Sequence, residues 1–523
     1  MNVKNPFGTE VKALACIEEE IATQKLVLSK LYAQKNSFSS IHRLPVEILQ
    51  SIFIHCARDH HIEDYGHPTL TAPTWVNVSY VCSHWRNTAL DCPALWSYPF
   101  ITSPRWTEEL MARSKNASLK AHVNLNRLVR TYRSMRFIRQ LGDHAERIKE
   151  LRLELRGTCI ETISKFSSRA PRLEYLKISV DHRCPNLMLS SVPFCGDTPV
   201  LRTLELSGCP MPWYLFKLSG LKTLRLHDIP APFQPNMAKF LDMLGCMQCL
   251  RHLYLEDALG CASSFLSSAT FRTVQKINLP HLSRLLVSAP ISTVVALLSC
   301  SVDILSTAEL RLECHCDASF SRASSVSLSS LLAQRFSILE NLDQTPSNLT
   351  IHSLVIECAR ERQPTILTFS TSERYCNSSR EADWDCNIPL KVLIHFNLYQ
   401  SHDDERIVSD ICRAVPLPNV QSLHIIHPPF HSMFWVFVCT FVYLHNIRYV
   451  KLSWGYMPGM EPLLSLSSPY HNLLTLPLGG HPLTQDFLPA LDKLELHDFR
   501  ILAPPSDYLT LSPPARSPED GSS

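Results

Sequence analysis

IHRLPVEILQSIFIHCARD, residues 41–59, and WVNVSYVCSHWRNTALDCPALW, residues 75–96, are two apolar runs separated by a polar segment from His60 to Pro73. In the first run, apolar side chains recur every three or four residues after Pro45, whose fixed φ and missing amide hydrogen suit a first helical position. The second run has the same period and is stopped by Cys92-Pro93. Together the two runs predict a helix, a loop and a helix.

These two predicted helices carry more apolar surface than they can bury against each other. The first run has Val46, Ile48, Leu49, Ile52, Phe53 and Cys56, and the second has Trp75, Val78, Val81, Cys82, Trp85 and Ala89. Full burial of one large apolar side chain contributes roughly 1.5 to 3 kcal/mol, so the remaining surface favours a binding partner. The plainer alternative is a helical hairpin whose tryptophans belong only to its own core.

The order and spacing of these residues resemble an F-box. The matching positions are Leu44-Pro45, Glu47-Ile48-Leu49, Ile52-Phe53, Val81-Cys82, Trp85-Arg86, Ala89, Pro93 and Leu95-Trp96. The central loop is several residues longer than the usual pattern. The resemblance implies an F-box over residues 41–97 that docks a Skp-type adaptor of a cullin-RING ubiquitin ligase. The adaptor-binding residues it implies are Leu44, Pro45, Ile48, Leu49, Ile52, Phe53, Val81, Cys82 and Trp85.

An amphipathic helix is predicted upstream, over residues 9–36. Its apolar residues come close to a heptad pattern that Gln24 interrupts, namely Leu14, Ile17, Ile21, Leu28 and Leu31. Two hypotheses fit this helix: it packs back on the F-box or on later helices, or it self-associates as a coiled coil. With fewer than four heptads, a freestanding coiled coil would be marginal.

Residues 98–147 are predicted to connect the F-box to the C-terminal part of the chain, through a strand and a helix. SLKAHVNL, residues 118–125, alternates apolar and polar residues as a half-buried strand does. A helix is predicted over 127–141, with arginines at 127, 130, 133, 136 and 139. Because a helix repeats every 3.6 residues, these arginines spread around the axis and form no single stripe. They favour a solvated face paired with glutamates over a patch for nucleic acid or an acidic partner.

From residue 148 to residue 502 a short pattern returns, in which a leucine is followed by two residues, a leucine, one residue and a leucine. Clear copies end at Leu153, Ile178, Leu206, Leu226 and Leu255, and weaker copies lie at Leu285, Leu310–Leu312, Leu354–Ile356, Leu393, Leu423–Ile425, Val450–Leu452 and Leu494–Leu496. The pattern resembles an irregular leucine-rich-repeat array. The predicted fold class is α+β, or an α/β solenoid. It has an N-terminal helical F-box and then stacked parallel strands inside, with helices and loops outside.

The residues between the repeated leucines are predicted to lie on the open face of the strands. They are Arg152, Glu154, Lys177, Glu205, Arg225, His227, Tyr254 and Glu256, with Glu495 and His497 near the end of the array. Their mixed charge suits recognition of a folded protein or a peptide better than it suits a fixed reaction. The alternative for each residue is that it is simply a solvated strand position.

Several segments interrupt or end the array. Ser319–Leu342 is predicted to be a serine-rich, helix-prone insert, and Pro364–Asn387 a polar loop. Met433–Leu444 is apolar but too short to span a bilayer, and is expected to be a buried element. Residues 503–523 are rich in Pro and Ser and are predicted to be disordered, with Ser512-Pro513 and Ser517-Pro518 as candidate phosphorylation sites.

Composition argues against several other classes of function. Net charge is +2, so no global field favours nucleic acid or a membrane, and the N-terminus lacks the apolar core of a secretory signal. With 14 glycines and no nucleotide, nucleophile-elbow or zinc-protease motif, no cofactor and no catalytic residue is predicted. The 19 cysteines are scattered, which favours reduced thiols in the cytoplasm or the nucleus. No metal site is predicted, because Cys246-x-x-Cys249 and Cys314-His315-Cys316 each lack a second pair of ligands.

The sequence therefore predicts a non-enzymatic substrate-recognition subunit of an SCF-type ubiquitin ligase, which binds the adaptor through the F-box and an unidentified protein through the array. One alternative is an F-box scaffold that pairs with the adaptor and takes no part in ubiquitylation. A third hypothesis is an enzyme that uses His60-His61 or the Cys314-His315-Cys316 cluster. For that hypothesis the sequence shows neither a positioned carboxylate nor a third ligand.

Overall fold

The structure of the protein, a computed structural model, describes residues 7–63, 74–99, 104–125, 132–181, 189–260 except 190, 277–300, 309–315, 326–334, 351–357, 365–370, 390–395, 410–426 except 416, 446–453 and 493–497. The chain divides into two compact units. The first comprises residues 1–224 and 228–233, and the second comprises residues 225–227 and 234–523. The division falls within one strand, so that strand contributes residues to both units.

The first unit begins with helix α1, Phe7–Ser37, and continues into a group of short helices. This helical module consists of a 3-10 turn at Ser40–Arg43, α2 at Val46–Glu63, a 3-10 turn at Thr74–Tyr80, α3 at Ser83–Leu90, a 3-10 turn at Pro93–Trp96 and α4 at Pro104–Arg113. The N-terminal helix and the helix after Pro45 are confirmed. The loop predicted from His60 begins too early, because α2 continues to Glu63.

The second apolar run of the module is not one helix, contrary to the sequence prediction. Cys82 divides it, since its backbone is extended (φ −158°, ψ 170°) and its sulfur accepts a hydrogen bond from the Trp85 amide at 3.5 Å. A side chain that satisfies an amide at a helix start caps the helix, so α3 begins after Cys82. The apolar period continues through this break and gives no sign of it.

Helix α5 and five strands complete the first unit. Their bounds are β1 Leu119–Asn124, α5 Tyr132–Asp143, β2 Ile148–Arg156, β3 Tyr175–Asp181, β4 Thr203–Ser207 and β5 Thr223–His227. The strand predicted at 118–125 is confirmed, and β1 to β4 pair in parallel in chain order. Buried and half-buried residues alternate along these strands, with the repeated leucines on the buried side, among them Leu153, Leu176 and Leu204.

The second unit adds further strands and short helices to the last residues of β5. They are α6 Met237–Gly245, β6 His252–Glu256, β7 Arg284–Pro290, α7 Ile291–Ser299, β8 Glu309–His315, β9 Ser353–Glu357, β10 Thr365–Ser370, β11 Leu390–His395, β12 Ser422–Ile426, β13 Tyr449–Ser453 and β14 Lys493–His497. Their spatial order is β6-β7-β8-β11-β10-β9-β12-β13-β14. Every weaker copy of the leucine pattern that the sequence predicted coincides with one of these strands.

Strand β10 is an antiparallel insertion that the sequence analysis missed. It pairs antiparallel with β9 and β11, whereas β11 pairs in parallel with β8, and β12 pairs in parallel with β9. The polar loop predicted for Pro364–Asn387 is therefore wrong at residues 365–370. The sequence TILTFS lacks the leucine repeat, but its threonine, isoleucine and phenylalanine residues are types that are enriched in strands.

Successive strands begin with one shared backbone arrangement. The amides of Arg202 and Thr203 both donate to the carbonyl of Glu174, at 2.9 and 3.0 Å. In the second unit the amides of Ser283 and Arg284 donate in the same way to the carbonyl of Arg251. The same pair of hydrogen bonds recurs from Gln421–Ser422 to His352 and from Arg448–Tyr449 to Gln421. Each of these strands is thus tied, where it begins, to the start of the parallel strand beside it, which gives both units a repeating backbone geometry.

The predicted fold class, N-terminal helices followed by an α/β solenoid-like arrangement of parallel strands flanked by helices, is confirmed in these units. The finer assignment to leucine-rich repeats and the domain boundaries stay predictions. A helix at 326–334 lies in the segment predicted to be helix-prone. The segment Met433–Leu444 and the C-terminal tail with its Ser-Pro sites lie outside the described residues. Within the described part of the chain, no helix combines the length and apolar character needed to span a bilayer.

Gly196 lies where the backbone permits no larger residue. Its φ is +67°, and a Cβ atom built there would lie 2.5 Å from the carbonyl oxygen of Leu215. Left-handed backbone already costs a non-glycine residue about 1 kcal/mol or more, and the close oxygen adds to that cost. We therefore expect Gly196→Ala to lower the unfolding midpoint in urea, corresponding to roughly 2 kcal/mol or more.

The matched control is Gly245→Ala at the end of α6, where nothing lies within 4 Å of the new Cβ. Alanine is favoured in helices by up to about 1 kcal/mol over glycine, so this control should be neutral or mildly stabilising. Equal midpoints for the two variants would contradict the assignment of strain to Gly196.

Candidate functional site

Helix α2 has an inner and an outer apolar stripe. Leu49 and Phe53, four residues apart, point inward and are 0 and 1% exposed. Ile48 and Ile52, also four residues apart, point outward and are 50 and 39% exposed. Side chains at this spacing share one helix face, so α2 buries one apolar stripe in the module and presents another to solvent.

The turn before α2 extends the outer stripe. The carbonyl of Pro45 accepts the amides of Ile48 and Leu49, both at 3.1 Å, which starts the helix at this residue. Pro45 is exposed and Leu44 is half-buried. Two further apolar side chains that the sequence analysis did not select, Ile41 and Val46, are also exposed here.

Helix α3 packs against α2 and contributes a second exposed segment. The Trp85 ring is half-buried, and its centroid lies 5.1 Å from that of Phe53. Just before the helix, Val81 is 60% exposed, and its neighbour Tyr80 is also exposed. Cys82, between Val81 and α3, is half-buried and acts as the helix cap.

We call the exposed side chains of these two segments the outer apolar face, comprising Ile41, Pro45, Ile48, Ile52, Tyr80 and Val81; Val46 is exposed too, but it lies at the end of the inner stripe of α2. Five of the nine residues predicted to bind the adaptor are not in it: Leu49 and Phe53 are buried, and Leu44, Cys82 and Trp85 are half-buried. The predicted role of all nine stays a prediction. For Leu49 and Phe53 the structure places the side chain behind the face, where it supports α2.

A cluster of tryptophans lies behind this face. The indole nitrogen of Trp96 donates to the Ala89 carbonyl at 2.7 Å, and its ring meets that of Trp75 edge-on at 5.4 Å. The Arg113 guanidinium of α4 lies over the Trp96 ring at 4.4 Å, and Leu110 of α4 joins the same core. Trp75 and Trp96 are therefore core residues, as the hairpin alternative proposed, while the outer apolar face remains exposed beside them.

In the first unit, the face of the strands opposite the leucines carries a network of charged pairs. Arg152, Lys177 and Glu205 are aligned across β2, β3 and β4 by the strand register. Lys177 reaches Glu205 at 3.8 Å, and Arg152 lies over the Tyr175 ring at 4.9 Å. Three pairs that the sequence analysis did not select belong to the same face: Lys120–Glu150 at 2.5 Å, His122–Glu154 at 3.1 Å and Asn124–Glu154 at 2.5 Å.

In the second unit the same type of pairing continues. Arg225 lies 4.2 Å above the Tyr254 ring, and His227 lies 3.5 Å from Glu256. Further along, Arg284 of β7 bonds Glu309 of β8 at 3.1 Å. Thus the eight array residues predicted from the repeat do project to the open face of their own unit, and each has an intramolecular partner. The side chains of Glu495 and His497 lie outside the described residues.

His252 of β6 lies in a locally positive part of this second face. Burial lowers the pKa of His252 below its usual 6.5, and the nearby charges of Arg284, Arg225 and Arg251 lower it further. An imidazole in such a place resists protonation, because a positive ring would be both desolvated and repelled. The neutral ring is therefore favoured in the folded protein.

One grouping resembles a catalytic triad in composition but not in geometry. The Ser288 hydroxyl lies 2.9 Å from Nε2 of His315, and the Asp257 carboxylate lies 3.9 Å from the same nitrogen. In a nucleophile–base pair the carboxylate orients the imidazole through the opposite nitrogen, Nδ1. Both partners here meet Nε2, so this arrangement cannot orient His315 as a general base for Ser288.

Of the five residues of the enzyme hypothesis, the structure describes the side chains of Cys314 and His315, and the hypothesis stays untested. His60 and His61 belong to α2, but their side chains, like Cys316, lie outside the described residues. Cys314 is buried in β8, and Cys246 and Cys249 are exposed free cysteines. Among the described side chains, no three His, Cys, Asp or Glu residues are grouped to hold a metal ion.

The helical module is similar to a known family of domains. Residues 41–102 match the family model described as F-box-like. The match covers the turn before α2, both faces of that helix, α3 and the tryptophan cluster. A search of curated proteins found no match to the chain.

The position of His252 gives an expected pH dependence of stability. Because its pKa is lowered in the folded state, the unfolded chain takes up a proton first as the pH falls below about 6.5. Stability should therefore fall as the pH drops through that value, and His252→Gln should lose less stability than the parent between pH 7.5 and pH 5.5. Urea unfolding of both proteins at the two pH values measures the difference.

His281→Gln, which removes an exposed histidine from the same unit, is the matched control. It should lose as much stability as the parent over this interval. If His252→Gln also behaved like the parent, the positive surroundings assigned to His252 would be wrong.

Proposed function

We propose that the chain is a substrate-recognition subunit of an SCF-type ubiquitin ligase. In this proposal the F-box-like region docks a Skp-type adaptor, and through it a cullin-RING ligase, while the strand array binds a protein substrate. The observation that carries the proposal is the outer apolar face, because it is exposed on the same residues that match the F-box-like family model.

The outer apolar face favours a protein partner on energetic grounds. A group of large apolar side chains that are 39 to 66% exposed favours a binding surface over an ordinary solvent-facing one. Each large side chain buried on docking would contribute roughly 1.5 to 3 kcal/mol. Ile48, Ile52 and Val81 alone would then offset a substantial part of the entropy lost on association.

The buried residues of the predicted set contribute in a different way. The Phe53 ring packs at a tilt against the Trp85 ring and thereby holds α3 on α2, and Leu49 anchors the inner stripe of α2 in the same core. A face whose geometry exists before binding loses less entropy when it docks. We therefore assign direct contact to the exposed residues and support of the face to Leu49, Phe53 and Trp85.

The array is suited to binding a protein because its side chains are held in defined positions. Pairs such as Lys177–Glu205 and Arg225–Tyr254 fix long side chains that would otherwise be flexible. The resulting surface is mixed in charge, with aromatic and histidine groups among the ions. A folded protein or a peptide with complementary charges would exchange these internal partners for its own, which favours specificity more than affinity.

Within the first unit, α4 connects the helical module to the first strands. Its Leu110 belongs to the tryptophan core, and its Glu108 bonds Arg136 of α5. Beyond α4, the Arg147 guanidinium donates to the Ser114 hydroxyl at 2.6 Å and to the Ala117 carbonyl at 3.3 Å. A short, well-bonded connection of this kind would hold a bound protein at a defined distance from the adaptor.

In this proposal the chain itself catalyses nothing. Its contribution is proximity, since a target lysine held near a charged conjugating enzyme reacts at a high effective concentration. The cytoplasm or the nucleus is the compartment in which we place this activity, and neither nucleic acid nor a membrane is required as a partner. The alternative, a scaffold that binds the adaptor without ubiquitylation, predicts complexes that contain the adaptor but no cullin.

The adaptor interface is tested with the purified full chain and a recombinant Skp-type adaptor. We expect the double variant Ile48→Asp, Val81→Asp to lose binding, because two exposed side chains that docking would bury become charged. Anchors at the centre of an interface typically cost about 2 kcal/mol each, roughly 30-fold in Kd per side chain. Isothermal titration of the parent and the variant measures the change.

The matched control is Leu215→Asp, which charges another exposed aliphatic residue, 55% exposed, on the array of the same unit. It should bind the adaptor like the parent, and both variants should keep the parent's unfolding midpoint. Undiminished adaptor binding by the double variant would remove the outer apolar face as the docking site.

Whether a ligase forms is a separate measurement. Complexes purified from cells through the full chain should contain a cullin as well as the adaptor, and the cullin should disappear in the Ile48→Asp, Val81→Asp variant. Adaptor without cullin in the parent complex would favour the scaffold alternative.

A further inference from the structure

Helix α1 exposes every side chain from Val11 to Lys35. Its large apolar residues among these are Val11, Leu14, Ile17, Ile21, Leu26, Val27, Leu28, Leu31 and Tyr32. The helix is 31 residues long, about 46 Å at 1.5 Å per residue. Helices in water are stabilised chiefly by packing of an apolar face. The exposure of these side chains argues against the hypothesis that α1 packs back on the F-box or on later helices, and leaves self-association as the other hypothesis.

The exposed residues follow a heptad with two core positions, a and d. Leu14, Ile21 and Leu28 occupy a, while Ile17 and Leu31 occupy d, with Gln24 at the remaining d position. Side chains at these positions form one stripe that supercoils with an identical stripe on a second helix. The stripe runs through the middle of α1, from Leu14 to Leu31.

The residues that flank the stripe match a second copy in parallel orientation. In a parallel pair, a g residue of one helix meets the e residue five positions later on the other. Glu20 at g would meet Lys25 at e, an opposite-charge pair formed twice by symmetry. Val27 at g would meet Tyr32 at e, which explains why two apolar residues lie beside the stripe. Leu26 lies at the outermost position, f, and would stay exposed.

Gln24 distinguishes parallel from antiparallel pairing. In a parallel, in-register pair, the two Gln24 amides face each other and can hydrogen-bond. In an antiparallel pair with the same heptads, Gln24 would face the aliphatic Ile21, and its amide would be buried without a partner. A single polar residue in the stripe thus selects the orientation and the register.

We propose that α1 forms a parallel, two-stranded coiled coil with α1 of a second copy of this chain. The occupant of the exposed stripe is the same stripe, and Gln24, Glu20 and Lys25 set its register. Both helical modules then lie at the same end of the coiled coil. This inference goes beyond the proposed ligase role and does not depend on it.

The first test compares two leucines that differ in their heptad position. Leu28 in the stripe and Leu26 outside it are similarly exposed, at 50 and 58%, in the same helical turn. Light scattering of the purified full chain should give twice the 59.4 kDa monomer mass for the parent and for Leu26→Glu, but monomer for Leu28→Glu. The Kd of Leu28→Glu should rise about tenfold or more.

All three proteins should show the same unfolding midpoint for the strand array, so that a misfolded variant is recognised. A monomeric parent across the concentration series, or a dimer that Leu28→Glu leaves intact, would overturn the proposal. A trimer would overturn it as well.

The second test addresses the orientation through charge exchange. Glu20→Lys alone sets a new ammonium group against Lys25 of the other copy, and Lys25→Glu alone sets a new carboxylate against Glu20. Each variant should therefore dimerise more weakly than the parent. When the two variants are mixed, the parallel heterodimer sets the new ammonium group at position 20 of one copy against the new carboxylate at position 25 of the other. Glu20 of the second copy meets Lys25 of the first, so the mixture should regain both opposite-charge contacts and dimerise about as tightly as the parent.

The double variant Glu20→Lys, Lys25→Glu completes this test, because it exchanges the two charges on the same helix. In a parallel pair it restores both opposite-charge contacts, so its dimer should regain the parent's Kd. Sedimentation equilibrium of the parent, the two single variants and the double variant measures the recovery. A double variant no stronger than the single ones would overturn the parallel register.

Discussion

The burial of alternate leucines between neighbouring parallel strands is the constraint on which the rest of the molecule depends. One strand of five to seven residues cannot cover its own leucines, so each strand needs a neighbour in the same register. Leu151 and Leu176 are both fully buried and are aligned in β2 and β3. Paired backbone hydrogen bonds at the start of a strand fix its register. The amides of Arg202 and Thr203, for example, both donate to the Glu174 carbonyl and align β4 with β3. With the leucines on one side, the polar residues between them must lie on the other, where they form the open face of each unit.

The helical module also buries apolar side chains in a core, but it leaves a second apolar stripe of α2 exposed. Its tryptophan core is satisfied internally, through the Trp96 bond to Ala89 and the contribution of Leu110 from α4. The outer stripe of α2, Ile48 and Ile52, is not buried by the described part of the module, although its residues are as apolar as those of the inner stripe. A structure that buries one stripe and leaves a parallel one exposed separates stability from binding. Changes at Leu49 should therefore act on folding, and changes at Ile48 on association.

Much of this architecture could be predicted from the sequence, because periodicity reports directly on burial. The leucine pattern located every described strand from β2 to β14 except β10, and alternation located β1. Strand β10 was missed because its sequence lacks the repeat, and its place depends on pairing with β9 and β11. The break at Cys82 was missed because a helix cap is a backbone arrangement that apolar spacing does not record. The division of α2 into stripes was unpredictable for a related reason: residues 48 and 49 are both apolar, and which one faces inward depends on α3 and α4.

The connection between the module and the array has a consequence for how the chain can be divided. Strand β1 is the first of the described strands in its sheet, and the amide of Lys120 on its outer edge donates to the Ser97 carbonyl just after the tryptophan cluster at 2.9 Å. The F-box-like region thus also serves as a capping unit of the kind that repeat proteins place at their ends. Without it, β1 would offer unpaired backbone groups to other chains, a known route to edge-to-edge aggregation. Replacement of this region by another segment would therefore require the incoming segment to supply a backbone cap for β1.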